Sequence, residues 1–218
     1  MKVEDALEEY NVHVYRHQNL VYVATFKCAS TYYTTLVQNN GWHRILWREI
    51  NWTNDHVFGF LIDPVVRYVK ALAEDYVNEE SAEFEELLFK YLEHSLPKST
   101  LITFHSIPIC TSLKQYVNKI DWIPISQGFN HHSLLLTLLD KHNIILSHYG
   151  DTVDSHIGTD YKKNLEKRMF DLFNSNKQHI SFNLLLSEDV ELFEQVKQKI
   201  NPQGIHWDQI SWLRSNNG

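Results

Sequence analysis

Cys28 and Cys110 are the only cysteines in 218 residues, which excludes a disulfide framework and a cysteine-built zinc site. A reducing compartment suits such a chain, so a cytoplasmic protein is expected. Glycine and proline are also scarce, at seven and five, which leaves little material for linkers or low-complexity tails. No fixed-period repeat is visible. No uninterrupted apolar run approaches the ~20 residues of a membrane-spanning helix, so no membrane partner is expected. The opening stretch "MKVEDALEEYNVHVYRH" is acidic and lacks an apolar centre, unlike a signal peptide. Positive charge is in deficit, with a formal net charge of −7. That argues against broad nucleic-acid binding, which needs many phosphate-neutralising lysines and arginines, and against a densely anionic polymer as substrate.

What is present fits one domain spanning 1–218 with a substantial core: 43% of residues are hydrophobic and 22% charged. Six tryptophans and eleven tyrosines are many for this length. Most suit core or lid packing, and sugar-binding clefts also use aromatic faces.

The local patterns alternate between strand and helix. Leu20–Phe26 is an apolar strand that ends abruptly at a loop, Lys27–Ser30, and a helix runs from about Thr31 to Asn39. Gly41 stands where a left-handed helix terminus belongs. "RILWREI" (Arg44–Ile50) and "HVFGFLI" (His56–Ile62) read as a second and third strand, apolar enough to be buried. Asp63-Pro64 is a strong helix start, a carboxylate cap followed by proline at the first helical position. The helix "PVVRYVKALAEDYV" follows it. "FEELLFKYLEH" places Phe84, Leu87, Leu88, Tyr91 and Leu92 on one helical face, and "TLITF" (Thr100–Phe104) reads as a fourth strand. "HHSLLLTLLD", "NLEKRMFDLF" and "VELFEQVKQKI" read as helices, and His148 to Asp160 as a long polar loop. This order predicts an α/β protein with a mainly parallel central sheet. In such sheets ligands bind beyond the C-terminal strand ends, where Lys27 lies.

A strand that delivers a lysine and the hydroxyls of Ser30 and Thr31 to the mouth of a helix is either an ordinary connection or, as expected here, a turn that holds phosphate. Helix N-termini present unpaired N–H groups and a positive dipole end, and lysine adds a full mobile charge. The loop is not a Walker A motif, because the lysine comes first and no glycine is present. "TFKCAST" instead resembles the 5′-phosphosulfate loop of the sulfotransferases, which holds 3′-phosphoadenosine 5′-phosphosulfate (PAPS) and releases 3′,5′-bisphosphoadenosine (PAP). The resemblance implies a P-loop-like three-layer α/β/α domain. Lys27 would match the lysine that neutralises the bridging oxygen as sulfuryl transfers. Cys28, Ala29, Ser30, Thr31 and Tyr32 would contribute the cradle through hydroxyls and backbone amides.

"FLIDPVVRYVKAL" resembles the family's 3′-phosphate segment, a strand ending in Arg-Asp-Pro and running into a helix. The family arginine position is Ile62 here, and the serine position, eight residues later, is Lys70. Lys70, with Arg67 one turn before it, is the implied replacement. "FHSIPIC" resembles the His-x-x-Pro segment of the membrane-bound carbohydrate sulfotransferases, with Thr103 where an acidic residue is usual. "LLSEDVELFEQV" resembles their tail segment, and "HIGTDYKK" lies where the family closes a loop over the nucleotide, which nominates His156, Gly158 and Thr159. Membrane-bound relatives carry an anchor that is not seen here, so a bacterial or viral enzyme is expected.

Sulfuryl transfer needs a donor held in line with the nucleophile, a neutralised leaving oxygen and a base for the acceptor proton. The sulfuryl group carries less charge than a phosphoryl group, so no metal is required, and no acidic metal motif is visible. Glu49, near the end of the second strand, and His105, at the end of the fourth, are the base candidates. His56, at the start of a strand, is a third. The acceptor expected is a hydroxyl or amine of a glycan or small molecule. Two other readings stand beside this one: a P-loop-type nucleotide kinase or hydrolase, with Asp63 as the magnesium candidate, and a non-catalytic nucleotide-binding protein of the same fold.

Overall fold

The computed structural model describes residues 12–75, 86, 105–126, 129–147, 160–176 and 180–200. Five strands form one sheet: β1 (His13–His17), β2 (Leu20–Ala24), β3 (His43–Ile45), β4 (His56–Ile62) and β5 (Asp121–Ile125), in the order β3-β1-β2-β4-β5. The helices are α1 (Ser30–Asn39), α2 (Pro64–Asp75), a single turn α3 (Ile109–Leu113), α4 (His131–Lys141), α5 (Asp160–Asn176) and α6 (Ile180–Ile200).

The sheet is mixed, which corrects the expectation of a mainly parallel one. β2 pairs parallel with β4, and β4 with β5. β1 runs antiparallel to both β2 and β3. The cause is a hairpin: His17 pairs with Leu20 around a two-residue turn in which Gln18 takes φ +54°. That hairpin inserts β1 between β2 and β3. The α/β class holds, and the parallel part is the block β2-β4-β5.

Every residue of β2 is buried, as are Val57–Leu61 of β4, so both faces of these strands are covered. An aromatic stack fills one side. Tyr33 of α1 lies flat on Phe60 at 3.7 Å, and Tyr22 stacks on Phe58 at 5.4 Å. Gly59 is required by its neighbour rather than by its backbone angles. A Cβ there would come within 2.7 Å of the Trp122 ring, its register partner on β5. Trp122 is fixed in turn by its indole N–H, which donates to the Val117 carbonyl at 2.9 Å.

Asp63-Pro64 starts α2 as expected: Asp63 Oδ1 accepts the N–H groups of Val65 at 2.9 Å and Val66 at 3.1 Å. The second expected strand, Arg44–Ile50, is shorter than its apolar content suggests. It reduces to β3 and a 3₁₀ turn at Trp47–Glu49, because the Glu49 carboxylate takes the Leu46 N–H at 2.6 Å and ends the ladder. The expected Phe84–His94 helix, the Thr100–Phe104 strand and most of the 148–160 loop, with His156, Gly158 and Thr159, lie outside the described residues.

Candidate functional site

The turn after β2 is built by its own backbone. Thr25 is buried, its hydroxyl donates to the Phe60 carbonyl at 3.1 Å, and its carbonyl accepts the Cys28 N–H at 3.3 Å. The loop thus leaves the sheet while still tied to β4. Lys27 takes φ +57° and Ala29 φ +56°, with Cys28 between them outside the positive region. Alternation of right- and left-handed residues turns successive N–H groups toward a common centre, the geometry of an anion-binding nest. A side chain in the left-handed region costs roughly 1–2 kcal/mol, and such strain persists where the surroundings over-determine it.

Helix α1 begins at once at Ser30. Its first internal bond is Tyr33 N–H to the Ala29 carbonyl at 3.1 Å, and no side chain caps the end. The leading N–H groups, those of Ser30, Thr31 and Tyr32, therefore have no partner within the helix. No acidic residue sits in that first turn, so the positive end of the dipole meets no carboxylate from its own helix.

Beside this turn lies a cleft of about 340 Å³, lined by Lys27, Ser30, Thr31, Glu74 and His105 together with His13, Thr34 and Thr35. Its size falls in the range of small-molecule sites. Lys27 is mostly covered and forms an ion pair with Glu74 of α2. The His105 ring stands edge-on to Phe26 at 5.3 Å. His13, in register with Ala24 at the end of β2, is held below the ordinary histidine range by burial and by the nearby Arg44 charge.

Arg67 and Asp189 hold these pieces in place from beneath. Arg67 is only 3% exposed and turns inward. Its Nε donates to the Phe26 carbonyl at 3.1 Å, and its Nη2 to the carbonyls of Ile107 at 2.7 Å and His105 at 3.5 Å. One guanidinium therefore ties the phosphate-type loop to the segment carrying His105. Asp189, 4% exposed on α6, accepts the N–H groups of Ile109 and Cys110, both at 2.8 Å, and so caps α3 from eighty residues away. The "FHSIPIC" and "SEDVELF" segments are thus in direct contact. The Cys28 thiol is buried and burial raises its pKa, against an opposing pull from Arg67, so it packs the loop rather than serving as a nucleophile.

Lys27, Ser30, Thr31 and His105 are brought together as the sequence suggested. Glu49 is not. Its carbonyl accepts from Arg16 at 2.7 Å, and Arg16 is in register with Val21, near the start of β2, whereas Lys27 follows the end of that strand. His56 is paired with Asp121 at 3.0 Å and sits in register with Leu20, also at the far end. Arg67 is committed to backbone carbonyls. Lys70 is half-buried on α2, three residues beyond Arg67 and four before Glu74, and does not line the cleft wall. Tyr32 meets Tyr33 edge-on at 5.0 Å and His132 at 5.9 Å.

Sequence reasoning missed Glu74. The available signal was its spacing, two turns beyond Arg67 on the same helix face. It also missed the pair His131–His132 at the start of α4, packed against Tyr33. His131 has its pKa lowered to about 4 by burial and by the adjacent His132. Among the described residues no group of three or more histidine, cysteine or carboxylate side chains could hold a metal ion, and no helix is long and apolar enough to cross a membrane. Comparison with protein-family models, curated proteins and solved structures finds no match for the chain.

Proposed function

We propose that this chain is a sulfotransferase that moves a sulfuryl group from PAPS to a hydroxyl or amine of a glycan or small molecule, on a P-loop-like three-layer domain. The observation that carries the reading is the turn at Lys27–Ser30: two left-handed residues and an uncapped helix start, with Lys27, Ser30 and Thr31 lining one cleft. These are the parts that an anionic 5′-phosphosulfate requires. The co-substrate would supply an activated sulfuryl group. Lys27 would hold the charge on the bridging oxygen, and the Ser30 and Thr31 hydroxyls would donate to the terminal oxygens. His105, in the same cleft, is the retained base candidate for removing the acceptor proton.

The 3′-phosphate falls to Lys70, since Ile62 is apolar and Arg67 is spent on carbonyls. The family resemblance further nominates His156, Gly158 and Thr159 as nucleotide contacts. The kinase or hydrolase reading is weakened because the Asp63 carboxylate serves as the α2 cap. A thermal-shift panel of PAP, ATP and GTP, each with and without magnesium, tests the reading. Stabilisation by PAP that needs no metal is expected, followed by loss of that shift in Lys27→Ala. A response to ATP or GTP alone, or a Lys27→Ala variant that still binds PAP within a few-fold, would overturn it. PAP binding without sulfuryl transfer to any acceptor would leave the non-catalytic alternative.

A further inference from the structure

We infer that Glu74 is an internal counter-ion that occupies the Lys27 charge in the free protein and must be displaced for an anion to bind. The inference rests on the anion-site reading of the Lys27 turn and adds a built-in competitor to it. Glu74 is the only carboxylate on the cleft wall among the described residues, and it ion-pairs with the lysine that the loop presents. Nothing in the loop itself requires this arrangement. The lysine stem could extend toward the uncapped start of α1, and Glu74 instead draws the ammonium to α2.

The two side chains differ in exposure, 19% for Lys27 and 41% for Glu74. The carboxylate is the wetter partner, so it can return to water when a stronger anion arrives. An incoming anion would then take Lys27 while Glu74 turns to solvent. Affinity for any Lys27-bound anion is thereby lowered by the factor that the resting pair imposes.

For a pair this exposed, that factor is about two- to fivefold. Glu74→Gln should tighten PAP binding by this amount in calorimetric titrations at fixed ionic strength. In a Lys27→Gln background the same change should have little effect, because the Lys27–Glu74 pair is already gone. Glu74→Asp, which keeps the charge but shortens the reach, should fall between wild type and Glu74→Gln. Equal tightening with and without Lys27 would show general charge repulsion and overturn the inference, as would unchanged affinity in Glu74→Gln. If PAP binds neither wild type nor Glu74→Gln, the nucleotide reading falls. Inorganic pyrophosphate then serves as the probe: tighter binding to Glu74→Gln upholds the counter-ion, and no binding to either form removes it.

Discussion

Replacing Arg67 by methionine separates a structural role from a ligand role more sharply than any other substitution. Methionine keeps an unbranched apolar stem of similar length and deletes the guanidinium. Two short charge-assisted bonds would be lost, to Phe26 at 3.1 Å and Ile107 at 2.7 Å, along with the longer one to His105 at 3.5 Å. Each stranded carbonyl costs roughly 1–3 kcal/mol, so the two short bonds together set about 2–6 kcal/mol. Relief from burying a charge returns part of that. A net loss of about 3 kcal/mol is expected, which for a chain of this length lowers Tm by roughly 6–12 °C. Urea denaturation with an unchanged m-value would measure it. Arg67→Lys should lose most of the same stability, because a single ammonium cannot bridge carbonyls on two segments as a planar fork does. A loss below about 1 kcal/mol in Arg67→Met would refute the strut. So would normal stability coupled with a selective loss of PAP affinity, the signature of a residue that faces the 3′-phosphate.

Lys70→Ala should weaken PAP about ten- to a hundredfold while weakening adenosine 5′-phosphate far less, since a charge-assisted contact to the 3′-phosphate is removed; equal losses in calorimetry would reduce Lys70 to a general field. Ala29→Gly should stabilise the fold by about 0.5 kcal/mol, the relief of a left-handed alanine exceeding the added freedom of the unfolded chain, and a drop in the urea midpoint would contradict the loop geometry. The depressed pKa of His131, about 4 against an ordinary 6.5, means the unfolded chain binds more protons between those values. Stability from this group is therefore full above pH 6.5 and declines as pH falls toward 4. Melting temperatures from pH 7 to pH 4.5 should show that decline, and His131→Gln should flatten it; an unchanged slope would assign the acid sensitivity elsewhere.

The legible parts of the sequence were the local ones. A carboxylate before a proline announces its helix because the cap and the fixed φ act within three residues, and α2 begins where Asp63-Pro64 placed it. β4 was visible because it is buried on both faces. β1 was not, because its partner is chosen by a Gln18-Asn19 turn that lacks the usual glycine signal. β5 was hidden by Pro124, which reads as a strand breaker and is tolerated because β5 lies at the sheet edge. In the site, Lys27, Ser30 and Thr31 are neighbours in sequence and could be read together. The grouping of His105 and Glu74 with them depends on Arg67 bridging to Phe26 and Ile107, forty residues or so away on either side. No local pattern carries that information. Glu49 lies apart from this group for a local reason that composition obscures: a carboxylate three residues after a backbone N–H folds back onto it and ends the strand early.

The sheet's two described margins are unequal but share a property. On one side β3 offers only three residues, His43–Ile45, and on the other β5 interrupts its row of donors at Pro124. A sheet edge is a template for another chain in proportion to its unbroken length of N–H and C=O groups. Neither margin provides a long one, so strand-to-strand recruitment between copies has little to build on. The buried strands β2 and β4 are kept in the interior, β2 by the hairpin that places β1 beside it and β4 by β2 and β5 on its two sides. The same insertion that spoils the all-parallel order therefore guards the chain against adding strands from its neighbours.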